Sequence, residues 1–361
     1  MKAVNNNRYF PPDSFLDAFK ALKLGLLLDQ IGRSEEDRPI YSLTIGTGRK
    51  KVLAWSQMHG NETTTTKALL DLLVYLETTA EGIRLKEGIC LRIIFQLNPD
   101  GALRYTRLNA NNVDLNRDAL DQTQGETQLL MQQYESFAPD YCLNLHGQRT
   151  IFAAGNTSKP ATLSFLAPSA DENRSITPAR ERAMQLIAAL VDPFAVSEEW
   201  GIGRYDDGFN LNCVGDYFTA KGTPTLLFEA GHFPNDYNRL RSREFIQTAL
   251  VNALQSIDSK GFMLFSIVDY HAIPENFNHL RDIEYKNVTI VNNKELTKSS
   301  LFVQYTEKLV DGKVCFIPEY VGSQEDWKGL TIVDLMHKNE KNPIDINESS
   351  DKIIVMLNLL L

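Results

Sequence analysis

The sequence predicts an α/β protein, with a mixed central sheet flanked by helices and a small β-rich C-terminal domain. Three observations lead there. Up to about residue 258, short apolar runs alternate with amphipathic helical stretches. Three of those runs end in polar clusters, at the strand ends where open α/β sheets bind ligands. After "DSKG", at 258–261, the helical period gives way to β-like runs separated by polar turns. The expected division is 1–258 and 261–361, in keeping with a prior of about two domains for this length.

The elements follow in order. "PIYSLTIG" and "KKVLAWSQ" are expected as strands paired around the turn "TGRK". In "TTTKALLDLLVYLETT", Leu69, Leu70, Leu73, Val74 and Leu76 fall at helical spacing. "GICLRIIFQL" suits a buried strand, "ETQLLMQQYESF" a helix, and "DYCLNL" a short strand closing at His146. "TPARERAMQLIAALV" predicts a helix with Pro178 near its start. "GTPTLLFEAG" predicts a strand and "NRLRSREFIQTALVNALQSI" a long helix. Beyond 261, "FMLFSIVDY", "YKNVTIV", "SLFVQYT", "KVCFIPEY" and "KIIVMLNLLL" read as β-like, while "LTIVDLMHK" is ambiguous. There is no internal repeat.

A net charge of -9 argues against nucleic acid or an anionic membrane as the main partner. No apolar run approaches the length of a membrane span. The N-terminus "MKAVNNNRYFPPDSF" has no apolar leader core, so the expected compartment is cytoplasmic. Cys90, Cys142, Cys213 and Cys315 are scattered without a CxxC pair and are expected as buried free thiols.

Three clusters could carry chemistry. In "MHGNETTTTKALLDLL", His59 and Glu62 are three apart at a helix start, so both can turn toward one point. The plainer alternative is capping, with Asn61 or Thr63 as N-cap and Glu62 favoured by the helix dipole. In "DYCLNLHGQRTIF", His146 ends a strand, and alone it reads first as a core histidine bonded to backbone. Together the three would make a His₂Glu set, a catalytic zinc pattern that leaves one position open. In "TPTLLFEAGHF", Glu229 ends an apolar strand, where a carboxylate must be paired, metal-linked or in a cleft. Such a setting suits a general base and acid. Between these lies the loop "FQLNPDGALRYTRLNANNVDLNRDAL" with Arg104, Arg107 and Arg117. Long irregular loops in compact domains are often functional, and guanidinium groups suit a substrate carboxylate. His232 is open to either a supporting or a plain loop role, and His271, His279 and His337 are expected to be surface or structural.

In this order, "HGNE", "NPDG", "RLNANNVDLNR", "NLHG" and "FEAG" resemble the motifs of the zinc carboxypeptidase superfamily, the M14 metallopeptidases. The resemblance implies a zinc-carboxypeptidase-like fold and Zn²⁺ held by His59, Glu62 and His146. It implies Glu229 as the catalytic carboxylate and Arg107 as the group that polarises the scissile carbonyl. Asn116 and Arg117 would hold the substrate's terminal carboxylate. Tyr205 is favoured over Tyr217 as the family's active-site tyrosine. One departure matters: Asn61 stands where many carboxypeptidases have arginine, and "HGNE" is similar to the succinylglutamate desuccinylase and aspartoacylase branch. Members of that branch cleave N-acyl amino acids and carry an extra C-terminal β domain. The implied function is therefore a zinc metallocarboxypeptidase acting on a C-terminal peptide bond. The alternatives are an N-acyl amino acid amidohydrolase and a non-catalytic binding module. The expected substrate, peptide or N-acyl amino acid, bears a free carboxylate.

Overall fold

The computed structural model describes residues 6–336 and 343–360; His337 lies outside them. The main sheet is built from β1 (Asp29–Arg33), β2 (Pro39–Ile45), β3 (Lys50–Ser56), β4 (Ile89–Phe95), β5 (Tyr141–Gly147), β7 (Ala161–Leu166), β8 (Gly201–Arg204) and β9 (Thr225–Ala230). A short β6 (Phe152–Ala154) lies outside it. The order across the sheet is β1-β2-β4-β3-β5-β9-β7-β8. The four central strands β4, β3, β5 and β9 run parallel, and β2 and β7 flank them antiparallel. The fold is thus a mixed α/β sheet between helices.

The layers follow from strand alternation. In β3, Val52 and Ala54 face one core with helices Thr63–Thr78, Pro178–Val191 and Leu240–Ser259. Leu53 and Trp55 face the other, with helices Gly125–Phe137 and Val214–Ala220. Burial on both faces is why the central strands read as continuous apolar runs. The chain leaves β3 toward β4 on one side and returns to β5 on the other. That reversal makes a switch point at the C-terminal ends of β3 and β5.

One expected pairing is overturned: β2 and β3 are not neighbours, because β4 lies between them. The "TGRK" segment does not close a hairpin. It crosses the start of β4, where Thr47 N donates to Lys86 O and Gly48 N to Ile89 O. A Cβ on Gly48 would fall 2.0 Å from the Gly88 carbonyl carbon, so the crossing requires glycine.

The C-terminal part is β-rich. Strands β11 (Leu280–Asn292), β12 (Glu295–Val310), β13 (Lys313–Gly322) and β14 (Lys328–Asp334) form a sheet in the order β13-β12-β11-β14, which resolves "LTIVDLMHK" as strand at its start. The short β10 (Asn276–Asn278), just before it, pairs with β6. Two β-like expectations fail. "KIIVMLNLLL" is mostly helix, Ser350–Asn358, with Ile353 and Leu357 buried one turn apart against the new sheet. A short unbroken apolar run does not distinguish helix from strand by period. "FMLFSIVDY" forms a 3₁₀ turn and the helix Ile267–His271, started by a capping box between Ser266 and Asp269. Phe262 and Tyr270 pack into the first core, not the C-terminal one. Of the cysteines, Cys142 is buried, the other three are half-buried, and all four are free. His271 ends the short helix, whereas His279 is buried.

Lys67, on the helix after His59, offers a test of this packing. It is 4% exposed, donates to Asn7 O and lies 5.0 Å from the Phe10 ring centre. Burial first, then Arg8 and Arg243, push its pKa down to about 7. An unfolded lysine titrates near 10.4, so between these values the unfolded chain binds more protons. Stability should therefore rise with pH through this window, by at most about 1.4 kcal/mol per unit. Urea unfolding from pH 7 to 9 should show that slope, and Lys67→Met should lose it. Identical slopes in the two proteins would contradict the assignment.

Candidate metal centre and active site

The turn after β3 is what brings His59 and Glu62 together. Glu62 N donates to His59 O at 3.1 Å, and Asn61 N to Thr106 O. Gly60 presses on the helix Pro99–Arg104, where a Cβ would fall 2.0 Å from the Gly101 carbonyl carbon. "NPDG" braces this contact: Asn98 caps Gly101 N at 2.8 Å and donates to Met58 O. The capping alternative does not appear. Glu62 occupies the N-cap position but makes no side-chain cap bond, and Thr63 Oγ1 donates to Arg8 O.

The Glu62 carboxylate turns instead to the histidines. Oε1 lies 2.8 Å from His59 Nδ1, and Oε2 lies 3.0 Å from His146 Nδ1 and accepts from Gly147 N at 2.9 Å. The two Nδ1 atoms are 3.1 Å apart. One ligand atom from each of the three residues falls within 4.8 Å of the others. Two imidazole nitrogens facing each other across a carboxylate repel unless a cation or proton lies between them. The donor set suits zinc and leaves a fourth position for water or substrate.

Electrostatics agree. Burial opposes charge on His59, but Glu62 and Asp114 outweigh it and raise its pKa. Burial keeps the His146 pKa low despite Glu62. Burial also disfavours charge on Glu62, yet the histidines hold its carboxyl below the usual range. The carboxylates create a demand for positive charge at this point. Asp114, which the motif "RLNANNVDLNR" contains but sequence reasoning passed over, lies 3.0 Å from His59 Nε2. A carboxylate on the far ring nitrogen is the kind of outer partner that fixes ring orientation in metal-bound histidines.

Glu229 pairs with His146 across β5 and β9, so both side chains point to the same side of the sheet. Its Oε2 is buried without a hydrogen-bond partner among the described residues. Burial first, then Glu62, push its carboxyl well above the usual carboxylate range. All eight sequence-predicted site residues line one cavity of about 780 Å³.

The structure distinguishes their surroundings. Arg107 donates to Asp114 at 2.9 and 3.1 Å and lies 3.5 Å from Glu62. Asn116 Oδ1 accepts from Val214 N. Arg117 bonds its neighbour's carbonyl through Nη1 at 2.8 Å and, among the described residues, makes no ion pair. Tyr205 lies in the cavity with its ring edge on Phe152, 5.2 Å away. Tyr217 packs against Phe218 in the second core. His232 is buried beside Tyr237, and burial first, then Arg239, push its pKa down to about 3. Sequence reasoning missed Asn144, which lines the cavity with both amide polar atoms unpartnered among the described residues. It also missed the cavity wall supplied by β12 and β13, which no local motif announces.

Comparison with known proteins points the same way. Residues 13–152 match the family model described as zinc carboxypeptidase. The stretch includes His59, Glu62, Arg107, Asn116, Arg117 and His146, and stops short of Tyr205 and Glu229. "Probable carboxypeptidase 2" of Trichophyton verrucosum (strain HKI 0517) is 29% identical over 114 residues, 31% of this chain and 21% of that protein. Carboxypeptidase D of Homo sapiens is 31% identical over 147 residues, 33% of this chain and 11% of that protein. The chain thus spans only a small part of the curated relatives it matches. The crystal structure of a metallo-carboxypeptidase from Burkholderia cenocepacia superposes with a TM-score of 0.54 at 20% identity, over 69% of this chain and 68% of that one. That likeness shows a shared fold.

Proposed function

We propose that the chain is a zinc-dependent hydrolase of the metallocarboxypeptidase kind, which cleaves an amide bond next to a free carboxylate. The observation that carries this reading is the meeting of His59, Glu62 and His146 beside Glu229, at the C-terminal ends of β3, β5 and β9. His59 and His146 through Nδ1, and Glu62 through its carboxylate, are the residues that would hold the zinc ion. When bound, zinc supplies Lewis-acid polarisation of a carbonyl and lowers the pKa of water toward about 7. Glu229 takes a proton from the attacking water and delivers it to the leaving amine. Arg107 donates to the developing oxyanion, a contribution of roughly 2.7–4 kcal/mol in comparable sites. Asn116 and Arg117 hold the carboxylate and set the amide against Glu229, and positioning of this kind is a large catalytic term. Tyr205 contacts the bound substrate. A non-catalytic binding role has little support, since each residue the chemistry needs lines the cavity.

The leading substrate reading is a C-terminal peptide bond in a short peptide. One observation favours the second reading, an N-acyl amino acid. Tyr305, Thr306 and Glu307 of β12 and Phe316 of β13 wall the same cavity. Glu307 is pinned by Arg8 at 2.8 and 2.9 Å and by Tyr105. A cavity of this volume suits a small ligand better than a long extended chain. No helix among the described residues is long and apolar enough to cross a membrane. With four free thiols, a reducing, cytoplasmic setting is part of the proposal.

Arg117 tests the carboxylate requirement. A hydrogen-bonded charge is worth about 1.5–3 kcal/mol. Arg117→Met should therefore lower kcat/KM for a free-acid substrate roughly 10- to 100-fold, mainly through KM. The same substrate with a C-terminal amide should be cleaved poorly by both proteins, with little difference between them. Equal losses on acid and amide would contradict the assignment.

A further inference from the structure

We propose that the wall contributed by the C-terminal sheet is a binding subsite for an apolar group, best an aromatic one, on the acyl side of the scissile amide. The proposal rests on the hydrolase reading above and names the substrate class of that site.

The subsite is an aromatic cluster. Tyr237 comes from the loop after β9, Tyr305 from β12 and Phe316 from β13. The Tyr237 ring centre lies 5.3 Å from that of Tyr305, with planes at 83°, and 5.1 Å from that of Phe316, at 59°. Tyr305 and Phe316 are 6.3 Å apart at 69°. All three line the cavity and stay partly exposed, whereas core aromatics such as Phe165 and Phe228 are fully buried. If the cluster served only to join the two halves, those rings would be expected to close over one another.

Asp282 pins the cluster. It is fully buried and accepts from Tyr237 Oη at 2.8 Å, Tyr305 N at 2.7 Å, Thr150 Oγ1 at 3.3 Å and Gln304 Nε2. The Tyr237 hydroxyl is thereby engaged, and the ring carbon surface is what remains to meet a ligand. Asp282 is a positioning residue, tying a strand of the C-terminal sheet to loops of the α/β body.

The rings share the cavity with the residues assigned to the substrate carboxylate. Its carboxylate-holding end is built from Asn116 and Arg117 against the helix Val214–Ala220. The rings come from other elements, the loop after β9 and strands β12 and β13, which line the same cavity. A substrate held by its carboxylate at Arg117, with its amide at Glu229, would lead its acyl group toward the rings. Edge-to-face contacts favour an aromatic partner beyond area burial, so an aromatic acyl group should be preferred roughly two- to tenfold.

The test compares N-benzoyl and N-acetyl derivatives of the same set of amino acids with the zinc-loaded protein, Phe316→Ala and Phe316→Leu. The benzoyl-to-acetyl ratio of kcat/KM should fall roughly two- to tenfold in Phe316→Ala through KM, and less in the milder Phe316→Leu. An unchanged ratio in both variants would overturn the subsite. A second arm reads binding alone, by titration calorimetry of the same ligands into Glu229→Gln with and without Phe316→Ala. Tighter benzoyl binding that disappears with Phe316→Ala supports the subsite, and equal affinity for benzoyl and acetyl overturns it. Failure of every derivative to be hydrolysed would count against the hydrolase reading, while the calorimetric arm still decides the subsite.

Discussion

Replacing Glu229 by glutamine is expected to lower kcat by about three orders of magnitude, within the roughly 10²–10⁴-fold range for a positioned acid or base. Glutamine keeps the shape of the side chain and removes the group that takes and returns a proton. The residue is suited to that task by its place: one oxygen is buried without a partner among the described residues, and burial with Glu62 nearby raises its pKa, which makes its carboxylate a stronger base. It faces the same side of the sheet as His146, yet it is not one of the three residues whose ligand atoms converge. Zinc content in Glu229→Gln should therefore match that of the unaltered protein. Single-turnover and steady-state rates at equal zinc loading would check this. A variant that retains its rate would remove Glu229 from the chemistry.

The second large effect is expected at His146. His146→Ala removes one of three ligands and should cost more than the roughly 10–100-fold in metal affinity that loss of an outer-shell partner costs. It also leaves the Glu62 carboxylate, 10% exposed, with fewer partners, and leaving a buried polar group without its partner typically costs about 1–3 kcal/mol. Zinc per chain after dialysis and the thermal midpoint with and without added zinc are the readouts. Zinc should raise the midpoint of the unaltered protein, since a ligand that binds only the folded state stabilises it. That rise should vanish in His146→Ala. Asp114→Asn should fall between the two, because Asp114 meets His59 only at its far nitrogen. Full zinc occupancy in His146→Ala would remove the histidine from the ligand set.

The α/β body was legible because its central strands are buried on both faces and its long helices are amphipathic. Both features leave a period in the sequence. The β2–β3 pairing was misread for a physical reason. The hairpin signal of two strands and a glycine-bearing turn is local, while the insertion of β4 between them is set by glycines packing against another segment. The helix at Ser350–Asn358 was misread because its core side is short and its apolar run unbroken. At the site, the meeting of His59, Glu62, His146 and Glu229 in one cavity was legible because polar groups ended apolar runs and because five motifs in order resembled one family. Asp114 sat in a quoted motif and was overlooked, since its contact with His59 spans a loop. The roof residues Tyr305, Glu307 and Phe316 carried no signal at all, because an aromatic or acidic residue on a strand is ordinary until the fold carries it over a cavity.

The most direct test of the account is a zinc titration of the chelator-treated protein, followed by hydrolysis of a short peptide and an N-acyl amino acid, each with a free carboxylate. The account predicts that hydrolysis of at least one of them rises in proportion to zinc, saturates at one ion per chain and is nearly absent in zinc-loaded Glu229→Gln. Hydrolysis that persists without metal, or that is equal in Glu229→Gln, would contradict it.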